Sequence, residues 1–206
     1  MNIGDREAEI SEPAAFPPYA FVPGRFPHPI SDPAGHSFGA EPHQAAPLDP
    51  ANWQASAEYL RGIELFDHGY YWESHEVWES LWHAAGHTGP IADFLKGLIA
   101  LAAAGVKVRE SNVAGVASHA RRAGRLFRQV AESLSAHPDS ADWLGWNLTR
   151  LIRFANEVAD EPPRVGHDKP IPPVEVVFPS CPIPPSELLI MTDKIQKTDD
   201  DKLLCF

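Results

Sequence analysis

Residues 70–83 have the sequence YYWESHEVWESLWH, the most informative segment of the chain. It places three tryptophans, three glutamates and two histidines within the length of one short helix. An ordinary amphipathic helix needs only an apolar face and a solvated face, so ionisable side chains interleaved with tryptophans are unusual. The composition of this stretch predicts a helix that packs on one side and builds a site beside the packed face.

A helical projection separates the stretch into two faces, because an α-helix turns by about 100° per residue. Four side chains share one arc, which we expect to face the core: Tyr71, Trp78, Leu81 and Trp82. An ionisable stripe lies next to that arc: His75, Glu79, His83 and Glu76. Glu73 and Ser80 project in other directions.

Proline spacing outlines the remaining architecture. Ten of the 21 prolines lie in residues 1–50 and nine lie in residues 162–185, which leaves a middle where helices are not interrupted. Apolar residues recur there at helical spacing, and they predict helices over 50–68, 71–84, about 90–110, 113–135 and from about 139 to 158. We therefore expect an all-α fold of about five antiparallel helices in a bundle-like array.

The proline-rich ends are expected to form extended arms. We therefore expect the chain to have three parts. They are a Pro- and His-rich arm over residues 1–48 packed on the bundle, a helical domain over 49–160, and a Pro-rich C-terminal arm with a flexible tail over 161–206. The N-terminal arm contains many aromatic side chains, which are costly to leave in water. Its packing on the helices would bring His28, and with it His36, toward them.

Composition restricts the classes of partner and compartment. The net charge of −11 argues against nucleic acid and anionic membranes as partners, because both are bound by basic surfaces. No signal peptide or membrane-length apolar run is expected. Cys181 and Cys205 are too few for a disulfide framework and are expected to be free thiols. These features favour a cytoplasmic protein.

The ionisable stripe has the spacing of a metal-binding helix. His75 and Glu79 are one helical turn apart, the separation of the two histidines in an H-E-x-x-H zinc helix. Imidazole and carboxylate ligands suit zinc, iron or manganese. Further ligands would come from elsewhere, with His119 and His28 as the candidates and His36 as another. Glu76 would then be the catalytic general base on a metal-bound water, in a hydrolytic or oxidative enzyme.

Two other interpretations stay open. The stripe could line a metal-free pocket for a small-molecule ligand, with walls made of Tyr71, Trp72, Trp78 and Trp82. A histidine and a glutamate one turn apart also form a purely structural hydrogen-bonded pair. In that case the chain would be a non-catalytic interaction module, whose arms wrap a partner or a second copy of the chain in a homo-oligomer.

The same residues resemble a known family. The pattern Phe66-x-x-Gly69-x-Tyr71-Trp72-Glu73-x-His75-Glu76-x-x-Glu79-x-x-Trp82 resembles the signature of the DUF309 family of bacterial and archaeal proteins. Residues 94–102 resemble its second block, with Lys96 where the family more often has glutamine. The resemblance spans about residues 58–135. It implies a small all-helical domain and implies no activity.

Overall fold

The computed structural model describes residues 15–41, 44–134, 142–166 and 171–184. Five helices and one small hairpin make up the regular structure of these residues: α1 (Ala57–Asp67), α2 (Tyr71–Ala84), α3 (Pro90–Arg109), α4 (Val113–Leu134), β1 (Asp142–Trp143), β2 (Trp146–Asn147) and α5 (Leu148–Asp160). The predicted five-helix fold is therefore confirmed, with a two-stranded addition. Among the described residues, no helix is both long and apolar enough to cross a membrane.

Local capping explains where several helices begin. The Ser56 hydroxyl accepts a hydrogen bond from the Tyr59 N–H and caps α1, and the Asn112 side chain accepts one from the Gly115 N–H at the start of α4. Such caps satisfy backbone donors that have no partner within the helix. The first helix is shorter than predicted, because Trp53–Ala55 form a separate 3-10 turn before the Ser56 cap.

Helices that are consecutive in the chain pack against each other, from α1 on α2 through to α4 on α5. Close approach depends on glycine at two contacts with α2: Gly62 of α1 lies against the Trp78 indole, and Gly105 of α3 lies against the Tyr71 ring. Trp78 and Tyr71 are each no more than 1% exposed. The packing of consecutive helices is observed, and the antiparallel, bundle-like arrangement of the five helices stays a prediction.

The main correction to the predicted fold concerns residues 142–147, which are a hairpin and not the start of the fifth helix. Leu144 and Gly145 both have positive φ, 51° and 84°, as a tight two-residue hairpin turn requires. Asn147 ends the hairpin and caps α5 by accepting a hydrogen bond from the Arg150 N–H. The Tyr59 hydroxyl donates to the Leu144 carbonyl over 2.8 Å and joins the hairpin to α1.

Both arms contact the helices. The Ala20 N–H donates to the Pro173 carbonyl over 2.9 Å, so the two arms also contact each other. In the C-terminal arm, the Val177 and Phe178 N–H groups donate to the Tyr71 hydroxyl at 2.9 and 3.2 Å. The buried Arg109 guanidinium at the end of α3 donates to carbonyls of both arms.

The two cysteines are described only in part. Cys181 is a free thiol, and burial raises its pKa well above the ordinary value. A thiol that is held protonated in this way is a poor nucleophile. Cys205 and the tail predicted to be flexible lie outside the described residues.

Gly62→Ala tests the close contact between α1 and α2. A Cβ at this position would overlap the buried Trp78 indole, and overpacking of this kind costs about 1–3 kcal/mol. We expect the urea unfolding midpoint to fall accordingly. Gly166→Ala is the matched control, since nothing lies within 4 Å of its added Cβ. Equal midpoints for the two variants would show that the helices do not approach each other as closely as described.

Candidate functional site

The packing face predicted for α2 is present in the structure. Tyr71, Trp78 and Leu81 are almost completely buried in the main core, and Trp82 packs at its edge. Trp72 is partly buried and meets the ring of Phe21 at a centroid distance of 5.3 Å. A pocket shared by the four aromatic residues stays a prediction. A shallow cavity of about 270 Å³ lies beyond the end of α2, and its lining, Pro47, Leu48, Ala84, Ala85, Thr88, Gly89, Pro90 and Ile91, contains none of them.

The structure brings together three members of the ionisable stripe. His75, Glu76 and Glu79 each offer one ligand atom, and these atoms lie within 4.8 Å of one another. All three side chains are partly buried. We name these three residues the α2 cluster. Two carboxylates and one imidazole form a donor set that suits zinc, iron or manganese.

The His75 imidazole is incompletely satisfied. Its Nδ1 lies 3.4 Å from Glu76 Oε1, yet this contact lacks hydrogen-bond geometry, so the buried Nδ1 has no hydrogen-bond partner. A buried polar atom without a partner is unfavourable. The geometry at this nitrogen therefore does not provide the hydrogen bond that a purely structural pair of histidine and glutamate requires.

His119 lies on α4, half-buried, and is outside the α2 cluster. Burial lowers the pKa of the His119 imidazole, and nearby positive charges lower it further. These charges belong to Lys107, Arg122 and His75, and Glu110 opposes them. A depressed pKa favours neutral imidazole, the form that binds metals.

Within the described residues, His28 does not join the α2 cluster as a further candidate ligand. The His28 ring packs on Phe21 and Trp72, with centroid distances of 5.0 and 5.5 Å. Its Nδ1 accepts hydrogen bonds from the Ile30 and Ser31 N–H groups at 3.3 and 3.4 Å. In this position His28 organises its own turn, and its role as a metal ligand stays a prediction.

The helical projection places Glu73 outside both the packing face and the ionisable stripe, but the structure buries its side chain. It is 6% exposed, and its Oε1 accepts from the Phe21 N–H at 2.9 Å and contacts His36 Nε2 at 3.1 Å. Its Oε2 is buried without a partner. Burial raises the pKa of Glu73, although the hydrogen bonds from Phe21 and His36 oppose the change. His36 therefore reaches α2 at Glu73, two residues before the predicted metal ligand His75.

No local signal in the sequence identifies Glu73 as buried. Its helical angle points away from the core of the helices, and the N-terminal arm supplies the cover. The aromatic residues of that arm predicted packing on the helices, but they did not indicate the place of contact.

Comparison with known families bears on the segment that contains these residues. Residues 59–119 match the family model DUF309, described as a domain of unknown function. This segment is similar to the DUF309 family. The match confirms the resemblance given by the signature residues, and it spans the α2 cluster and His119 while leaving out both arms. No curated protein and no solved structure matches the chain.

Glu73→Gln tests the buried carboxyl through the pH dependence of stability. Because the folded-state pKa is raised above its ordinary value of 4.5, Glu73 contributes most stability below that value and loses it as pH rises through the raised pKa. Glutamine does not titrate. We therefore expect the stability of the wild type, relative to Glu73→Gln, to fall as the pH rises above 4.5. Urea unfolding at several pH values measures this difference, and parallel curves would contradict it.

Proposed function

We propose that the DUF309-like segment of this chain binds a divalent transition-metal ion at the α2 cluster. The observation that carries the proposal is the convergence of His75, Glu76 and Glu79, whose ligand atoms lie within 4.8 Å of one another. The buried, unpartnered Nδ1 of His75 supports it, because coordination to a metal would satisfy this nitrogen.

The division of roles follows from spacing and chemistry. His75 and Glu79 are one turn apart and would be the first two ligands. His119 from α4 stays the third candidate, and its lowered pKa favours the neutral ring that binds metals. Glu76 is close enough to the other two to act as the general base on a metal-bound water. This set of roles fits a metal-dependent hydrolase or oxidase.

The partner that fits this proposal is a small molecule. The net charge of −11 disfavours nucleic acid and anionic membrane surfaces. The partial exposure of the α2 cluster leaves it accessible from solvent. We also propose a cytoplasmic location and a homo-oligomeric state. Size-exclusion chromatography with light scattering tests the oligomeric state.

The alternative is a non-catalytic interaction or structural module. It would need the histidine and glutamate of the stripe to satisfy each other. The partnerless Nδ1 of His75 counts against that arrangement. The contacts of both arms with the helices also count against arms that are free to wrap a partner.

Metal analysis of protein purified without a histidine tag tests the proposal, together with a calorimetric titration with Zn²⁺. We expect His75→Ala/Glu79→Ala to lose one equivalent of Zn²⁺ relative to the wild type, because two of its ligands are removed. The matched control is Glu64→Ala/His68→Ala, which removes a glutamate and a histidine one turn apart at the end of α1.

The outcome distinguishes the two candidate functions. Loss of one equivalent in the α2 variant alone supports the metal site. Equal metal content and equal Zn²⁺ stoichiometry in the wild type and the α2 variant would overturn it and favour the structural module.

A further inference from the structure

A second pair of histidines lies where α2 ends. His83 occupies the last turn of α2, and His87 follows in the connection to α3. His83 Nδ1 and His87 Nε2 are 2.8 Å apart, so one ring nitrogen donates a hydrogen bond and the other accepts it. Both residues are exposed. The pair is therefore accessible from solvent and already has two nitrogen atoms directed at each other.

The backbone and Trp82 fix the position of His87. His87 has a φ of 68°, in the left-handed region, and this conformation turns the chain back toward the helix. Its ring lies on the Trp82 indole at a centroid distance of 4.1 Å and an interplanar angle of 31°. The His83 ring also contacts Trp82, at 5.1 Å. Contact with one indole holds both imidazoles and reduces the conformational entropy that a ligand would otherwise have to remove.

We propose that His83 and His87 form a second metal-binding site, selective for late first-row divalent ions that prefer imidazole, such as Cu²⁺. Two nitrogen ligands suit copper, nickel and zinc, and copper has the highest affinity in that series. Cu²⁺ prefers tetragonal geometry, in which two adjacent bonds of about 2.0 Å place the ligand atoms about 2.8 Å apart. The two nitrogens already have this separation, so the rings need only rotate until both lone pairs point at the ion. Water completes the coordination.

The protons balance without a co-reactant. In the neutral pair, one of the two facing nitrogens carries a proton and the other has a free lone pair. Binding requires the donor ring to exchange its tautomer through solvent, so that its proton moves to the nitrogen that faces away. Both facing nitrogens then present lone pairs to the ion, and the neutral pair releases no proton.

This site is separate from the α2 cluster. Glu79 is the member of the α2 cluster nearest to His83 along the helix, one turn away and about 6 Å at a rise of 1.5 Å per residue, but no candidate ligand group of the described residues joins His83 to the α2 cluster. The donor sets also differ, since the α2 cluster offers two carboxylates and one imidazole. The second site therefore does not depend on the function proposed for the first, and each can fail alone.

The test is a titration of the full chain, without a histidine tag, with Cu²⁺. Tryptophan fluorescence reports affinity, because bound Cu²⁺ would lie beside Trp82 and quench it. Electron paramagnetic resonance counts the nitrogen ligands. We expect two nitrogen ligands in the wild type. His83→Ala and His87→Asn should each weaken binding at this site at least tenfold and leave one nitrogen ligand. Asparagine is chosen at position 87 because it tolerates positive φ.

Two controls separate this site from general copper binding by exposed histidine. His68→Ala removes a histidine at the end of α1 whose Nδ1 contacts the Glu64 carbonyl, and it should leave the affinity unchanged. His75→Ala/Glu79→Ala should also leave it unchanged. Undiminished affinity in His83→Ala or His87→Asn would overturn the proposal, as would loss of the same binding event in the His75→Ala/Glu79→Ala variant.

Discussion

One peptide bond in the N-terminal arm is held at both ends by buried ionisable side chains, and the placement of the arms depends on it. The Arg109 guanidinium donates to the Ala20 carbonyl at 3.0 Å. The N–H of the same peptide unit, that of Phe21, donates to the Glu73 carboxylate at 2.9 Å. Arg109 also donates to the Pro172 carbonyl at 2.6 Å, so one side chain joins α3 to both arms.

Burial lowers the pKa of Arg109, and the charges of Glu175 and Glu73 oppose the change. Hydrogen bonds made by a charged group are stronger than those between neutral groups, and they offset the cost of burying the charge.

This constraint determines which part of α2 is covered. The arm lies over the first turn of α2, where Trp72 and Glu73 are, and it takes His28 and His36 there with it. The α2 cluster begins with His75 and stays partly exposed. The stripe continues through His83 to the pair with His87. The arms thus complete the core at one end of the helix and leave the ionisable stripe accessible to ligands.

The sequence predicts the helical part well, because those signals are local. Periodicity and proline placement give α2 its observed bounds, and the helical projection places Trp78 in the core and His75 beside Glu79. The hairpin was missed because its turn, Leu144-Gly145, lacks the usual asparagine or aspartate before glycine. Glu73, Arg109 and His87 were missed for a different reason. Their roles arise from contacts with distant segments or from a left-handed backbone, and neither follows from spacing within one helix.

The central claim is that the buried side chains of Glu73 and Arg109 hold both arms on the helices. Native-state hydrogen exchange of Arg109→Met tests it most directly, since methionine keeps much of the volume and removes every donor. We expect the Ala20 and Phe21 amides to exchange at least tenfold faster than in the wild type, while amides in the middle of α3 and α4 keep their protection. Unchanged protection of the Ala20 and Phe21 amides would contradict the claim.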